Sequence, residues 1–116
     1  MRRGEVWWVE FPQARGGEIQ KTRPAIIISN NSFNRIMNRV QVVPLTSHTA
    51  KVFIGETLAS VGGNLSKALA TQITTVTKER VLNRLGEITA DEMTAVENAI
   101  LSQLGIALTL DGGQAG

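Results

Sequence analysis

Gly16-Gly17-Glu18-Ile19-Gln20-Lys21-Thr22-Arg23-Pro24-Ala25-Ile26-Ile27-Ile28-Ser29-Asn30 joins a glycine-bearing loop to a strongly apolar run. The run predicts a strand over 23–29. Ala25 to Ile28 has no polar alternation, so this strand is expected at the centre of a sheet, covered on both faces. A central strand needs partners on either side, and that requirement sets the reading of the rest of the chain.

Upstream, Glu5-Val6-Trp7-Trp8-Val9-Glu10-Phe11 is rich in strand formers, and Pro12 ends it. Trp7 and Trp8 alternate faces, so at most one is expected wholly in the core. Residues 12–22 form a loop longer than most hairpin connections, a length that usually signals function. Downstream, residues 30–34 read as a turn whose Ser and Asn side chains bond local backbone. A short helical piece is expected over 33–37. Val40 to Leu45 is the third strand, with Pro44 tolerable only at an end, edge or bulge. It runs into Thr46-Ser47.

Further strands are expected at 52–54, 68–76 and 84–88, with a turn at Gly62-Gly63-Asn64 and one helical turn over 78–82. The clearest helix follows. Thr89 is its N-cap and Glu92 completes a capping box. Met93, Val96, Ile100 and Leu104 form its apolar stripe, widened by Leu101, and Gly105 ends it. Residues 106–108 could add an edge strand, and 111–116 read as a frayed tail. The fold class is α+β, mainly β: one domain over 1–110, closed as a small, strongly bent barrel with a C-terminal helix.

The 116 residues include no cysteine and one histidine. A disulfide framework, a cysteine nucleophile, a histidine-pair ribonuclease and a multi-histidine zinc site are thereby excluded. No metal or other cofactor is implied. There is no run of transmembrane length and no signal-peptide core after Met1-Arg2-Arg3-Gly4, so a soluble cytoplasmic chain is expected. Residues 1–51 carry eight Lys/Arg against three Glu, whereas 52–116 carry four against seven acids. A basic first half suits a polyanionic partner.

The chemistry left open is phosphodiester work without metal. Arg23 can grip a phosphate through two parallel hydrogen bonds, and the Thr46 and Ser47 hydroxyls can share it. An RNA substrate would bring its own nucleophile, the 2′-hydroxyl. Arginine is a poor proton donor and a worse acceptor near neutral pH, and Glu18 could supply the base from the loop. His48, followed by Thr49 in a polar stretch, reads as a surface residue rather than a catalyst.

The ordered series Arg3-Gly4-Glu5-Val6-Trp7, Gly16-Gly17-Glu18, Lys21-Thr22-Arg23-Pro24-Ala25, Ser29-Asn30, Val43-Pro44-Leu45-Thr46-Ser47, Gln72-Ile73, Lys78-Glu79-Arg80 and Gly86 resembles the MazF/PemK toxins of toxin–antitoxin pairs. The resemblance spans Arg3 to about Leu108. It implies an SH3-like barrel acting as a homodimer. It implies a metal-independent endoribonuclease that cuts single-stranded mRNA at short sequences, leaving 2′,3′-cyclic phosphate and 5′-hydroxyl ends. Arg23 and Thr46 would be its catalytic pair, with Glu18 a third candidate. Gly16, Gly17, Lys21, Asn30, Ser47 and Gln72 would contact RNA. An acidic, partly disordered antitoxin would occupy the same groove. Gly17, Thr74 and Thr77 depart from the usual serine, arginine and aspartate, which bears on RNA preference. Two alternatives remain at this point: a CcdB-like gyrase-binding poison, for which the tail Asp111 to Gly116 offers no apolar anchor, and an RNA-binding module without turnover.

Overall fold

Ala25, Ile26 and Ile27 are fully buried in the computed structural model of the chain, which describes residues 1–12 and 21–107. They belong to strand β2 (Lys21–Ile27), which lies between β1 (Glu5–Phe11) and β3 (Arg39–Thr46). The remaining strands are β4 (Glu56–Val61), β5 (Asn64–Leu69), β6 (Thr74–Thr77) and β7 (Val81–Glu87). Helix α1 (Asn31–Ile36) links β2 to β3, and α2 (Ala90–Leu104) closes the described chain. The antiparallel sheet runs β4-β5-β3-β2-β1-β7, with β6 also paired to β3.

Two cores explain the unbroken apolar run of β2. Ile26 faces Val6, Val43, Leu45, Ala59, Val61, Ala68 and the α2 residues Met93 and Val96. Ala25 and Ile27 face Val9, Val40, Val42, Val76 and Val81. The sheet therefore curls enough to bury both faces of its central strand. Two register shifts between β1 and β7 add to that bend. The ends of the sheet come near one another: a Cβ on Gly86 would lie 3.3 Å from Val61 Cγ1. Among the described residues no ladder joins β4 to β7. The architecture is the expected one, mainly antiparallel β with a C-terminal helix.

Helix α2 starts as its sequence predicts. Thr89 Oγ1 accepts the Glu92 N–H at 3.1 Å, and the Thr89 N–H donates to Glu92 Oε1 at 2.9 Å. Glu92 Oε2 also accepts the Ser60 N–H of β4 at 2.7 Å, so one carboxylate ties the helix start to the edge strand. Partial burial pushes the Glu92 carboxyl up, but hydrogen bonds from Thr89 and Ser60 outweigh that and hold it below its ordinary 4.5. The stripe ends one turn early. Met93, Val96 and Ala99 are buried, Ile100 packs partly, and Leu104 is exposed where the last turn runs past the core.

Four expectations are corrected. Residues 52–54 are not a strand; Val52, Phe53 and Ile54 stand in an exposed loop, Ile54 at 81% exposure. Gly55, at φ +84°, turns the chain before β4 begins. Residues 68–76 are not one strand. β5 pairs Ala68 and Lys67 with Leu45 and Thr46, whereas β6 pairs Thr74 to Thr77 with Val42 to Arg39 on the same edge of β3. The register between the two pairings differs by three residues, the length of the 3-10 turn at Ala70–Gln72 that interrupts them. Ala70 donates its N–H to Gly55 O at 2.9 Å instead of to a sheet partner. The loop expected over 12–22 gives its last two residues, Lys21 and Thr22, to β2. Of the proposed edge strand at 106–108, Ile106 and Ala107 lie in no strand. Leu108, the tail 111–116, and Gly16, Gly17 and Glu18 lie outside the described residues.

Other elements differ in their bounds: α1 begins at Asn31, inside the expected turn, β7 begins at Val81, inside the expected helical turn, and β4 has no counterpart in the sequence reading. The β4–β5 hairpin turns on Gly62 and Gly63, with φ +58° and +82°, the sign a two-residue primed turn demands. Asn34 is buried, donates to Ser29 O at 2.9 Å and accepts from the Ser29 hydroxyl, pinning α1 to the end of β2. The turn expected over 78–82 is a 3-10 turn at Lys78–Arg80.

Candidate active site

Pro24 decides where β2 and β3 part. The Ile28 N–H donates to Gln41 O at 2.9 Å, which makes residues 28 and 41 a hydrogen-bonded pair. Antiparallel pairs alternate between bonded and non-bonded. Ala25 and Pro44 therefore form a non-bonded pair, and the next pair, Pro24 with Leu45, would be bonded. Pro24 has no N–H to give, and the ladder stops at Ala25. Pro44 causes no such break. Its nitrogen points to the opposite edge, where Val43 and Pro44 have no partner because the chain has left on its 3-10 turn.

The paired ladder ends at Ala25 and Pro44, and beyond it Arg23 of β2 and Thr46 of β3 line a common cleft. A cleft of about 360 Å³ opens here, lined by Trp8, Arg23, Pro24, Leu45, Thr46, Ser47, His48 and Ser66. Arg23 is half-buried, and among the described residues no carboxylate pairs with it. Other arginines are engaged: Arg3 with Glu97 at 2.7 Å, and Arg84 with Glu5 at 3.2 Å. Thr46 Oγ1 accepts the His48 N–H at 3.2 Å. That bond orients the oxygen and leaves its proton free to donate.

The segment carrying Ser47 and His48 is held from behind. Lys67 lies opposite Thr46 across the β3–β5 ladder. Its buried ammonium meets Glu56 Oε1 at 3.0 Å and donates to Lys51 O at 2.8 Å. Glu56 Oε1 accepts the Phe53 N–H at 2.9 Å. The hydrogen bond from Phe53, then that from Lys67, hold the Glu56 carboxyl below its ordinary 4.5.

Of the residues singled out in the sequence, Arg23, Thr46 and Ser47 share the cleft. Lys21 lies two residues along the same face of β2 as Arg23, exposed, and does not line it. Asn30 caps α1, accepting the Phe33 N–H at 2.8 Å. Gln72 is exposed at the end of the 3-10 turn, away from the lining. Gly16, Gly17 and Glu18 fall outside the described residues. Trp8, Pro24, Leu45, His48 and Ser66 line the cleft as well. His48, read from the sequence as a surface residue rather than a catalyst, is exposed there. Trp8 is 37% exposed at the cleft, and Trp7 is half-buried, its indole N–H donating to Glu5 Oε1 at 3.0 Å. Ser66 reaches the cleft through β5 pairing, which leaves no local signal. Among the described residues no three His, Cys, Asp or Glu side chains converge as metal ligands.

Comparison with known proteins bears on the family and the fold. The family profile of the PemK-like, MazF-like toxins of type II toxin–antitoxin systems matches residues 2–104. The chain is 38% identical to Endoribonuclease MazF9 of Mycobacterium tuberculosis, over 86% of this chain and 92% of that protein. It superposes with a TM-score of 0.78 on MazF from Deinococcus radiodurans, at 25% identity, covering 91% of this chain and 97% of that one. A mycobacterial endoribonuclease solved in complex with its cognate antitoxin gives 0.76 at 26% identity, covering 93% and 98%.

Proposed function

The chain belongs to the PemK-like, MazF-like toxins of type II toxin–antitoxin systems and is an endoribonuclease, and we propose that it cuts single-stranded mRNA at short sequences by 2′-hydroxyl attack, with Arg23 and Thr46 as the catalytic pair. The observation that carries this reading is their common cleft where Pro24 parts β2 from β3. A scissile phosphate seated there would meet the planar guanidinium, which offers two parallel donors to its non-bridging oxygens. The Thr46 hydroxyl, its oxygen already bonded to the His48 N–H, would donate to the same phosphate. Ser47 and Ser66 add hydroxyls at the rim. Such preorganised donors stabilise the charge that builds as the phosphorus becomes five-coordinate. The exposed indole of Trp8 offers a face for a splayed base.

In this reading the reaction needs no metal and leaves 2′,3′-cyclic phosphate and 5′-hydroxyl ends. Lys21 continues the basic face toward the RNA backbone. The toxin works in the cytoplasm as a homodimer. An acidic antitoxin covers the groove when the toxin is silent, which suits the basic first half and the antitoxin-bound relative. No helix among the described residues is long and apolar enough to cross a membrane.

The test is cleavage of a long mixed-sequence RNA in EDTA. Discrete fragments with cyclic-phosphate ends are expected, and Arg23→Ala should slow their formation by about 10²–10³-fold. Retention of RNA without cutting, or cutting that the Arg23 variant leaves intact, would overturn the assignment.

A further inference from the structure

Arg23 leaves one chemical role in the cleft open. A guanidinium has hydrogens to give and stays protonated at neutral pH, so it cannot take the 2′-hydroxyl proton. A hydroxyl such as that of Thr46, Ser47 or Ser66 is a weak acceptor of that proton. Among the described residues, the remaining titratable side chain lining the cleft is His48.

Three features of the structure fit it for the task. His48 is the only histidine of the chain and lines the same cleft as Arg23 and Thr46. Its backbone N–H is bonded to Thr46 Oγ1 at 3.2 Å, so its position is tied to a proposed catalytic group. Its segment is braced by the bonds from Lys67 to Lys51 O and from the Phe53 N–H to Glu56. Imidazole is the side chain type that changes charge between pH 5 and 8 and can accept a proton near neutrality. Among the described residues, the charged groups near this segment are Arg23 of β2 on the cleft wall, Lys51 further along the same loop, and the Lys67–Glu56 pair of β5 and β4 behind Thr46.

We infer that His48 is the general base of the RNA cleavage, an inference that rests on the reading of Arg23 and Thr46 given above. The imidazole takes the 2′-hydroxyl proton as the 2′-oxygen forms its bond to phosphorus. The bond from phosphorus to the 5′-oxygen breaks. The departing oxygen takes a proton from water, and the imidazolium returns its proton to the hydroxide so formed. Products and catalyst balance with no further reactant.

The experiment is a single-turnover pH–rate profile of RNA cleavage for the intact chain, His48→Gln, Glu18→Gln and Arg23→Ala, with thermal melts to confirm folding. The intact chain should speed up with pH and then level off. His48→Gln should fall by about 100-fold or more at pH 7.5. Its rate should keep rising with hydroxide instead of levelling, and added imidazole should restore part of the rate. KM for RNA should change little. An unaltered profile with a rate within about threefold of the intact chain would overturn the inference, as would a plateau lost in Glu18→Gln and kept in His48→Gln. Those outcomes leave the Arg23 assignment standing so long as Arg23→Ala is inactive; an active Arg23→Ala would instead remove the reading on which the inference rests.

Discussion

Gly55 is the residue at which the active-site loop is most sensitive to a single atom. Its φ of +84° lies in the left-handed region, and a Cβ there would sit 2.7 Å from Thr71 Cγ2 and 2.8 Å from Gln103 Oε1. The glutamine can swing away, but the threonine methyl belongs to the 3-10 turn that separates β5 from β6. Gly55→Ala should therefore lower stability by about 1–2 kcal/mol from backbone strain alone. Urea melts of the two proteins measure it. Gly55 also closes the segment that starts at Ser47, so cleavage should fall more than the loss of folded protein explains. Arg23 and Thr46 contrast with this glycine. Hydrogen-bonding chemistry made each a candidate in the sequence, the ordered motif series joined them, and only the fold brings both to one cleft.

At the level of the strand pair, Pro24 acts as a stop in the β2–β3 ladder. Pro24→Ala would supply the missing N–H and let residue 24 bond to Leu45 O. The new hydrogen bond is worth about 0.5–1.5 kcal/mol, and losing the proline's restriction of the unfolded chain costs about 0.4–1 kcal/mol, so stability should move little. The cleft should narrow, and cleavage should drop about tenfold or more as Arg23 and Thr46 are drawn out of position. A normal melting midpoint with reduced cleavage is the expected result; unchanged cleavage would show that the ladder break does not shape the site. Elements differed in how far the sequence revealed them. β1, β2 and α2 were legible because apolar pattern, proline and capping box are local signals. The break at 70–72 was not, because it arises from β5 and β6 sharing one edge of β3 out of register. The loop at 52–54 misled because its three apolar residues look like a strand, and only the backbone of Gly55 says otherwise. Ser66 joins the cleft through such a non-local pairing, which is why no motif pointed to it.

At the scale of the molecule, three carboxyl groups among the described residues link stability to pH. Partial burial raises Glu5, but hydrogen bonds from the Arg2 N–H, the Trp7 indole and Arg84 outweigh it, and the group lies below its ordinary 4.5. Glu56 and Glu92 are lowered as well. A carboxyl depressed in the folded state binds its proton less readily there than in the unfolded chain. Its contribution is present in full above about pH 4.5, and it fades as pH falls through the folded values. Urea midpoints should hold steady from pH 7 to about 5 and then decline. Glu92→Gln should flatten part of that decline, since the amide cannot titrate.

That same Glu92 has a consequence for how the toxin keeps to itself. β4 is the outermost strand at its end of the sheet, and an unpaired backbone N–H there invites another chain to add a strand. The Ser60 N–H is already taken by the Glu92 carboxylate, so the helix cap doubles as a seal against strand-by-strand aggregation. Acid would weaken the seal as it weakens the cap, at the moment when unfolding brings chains most readily into contact.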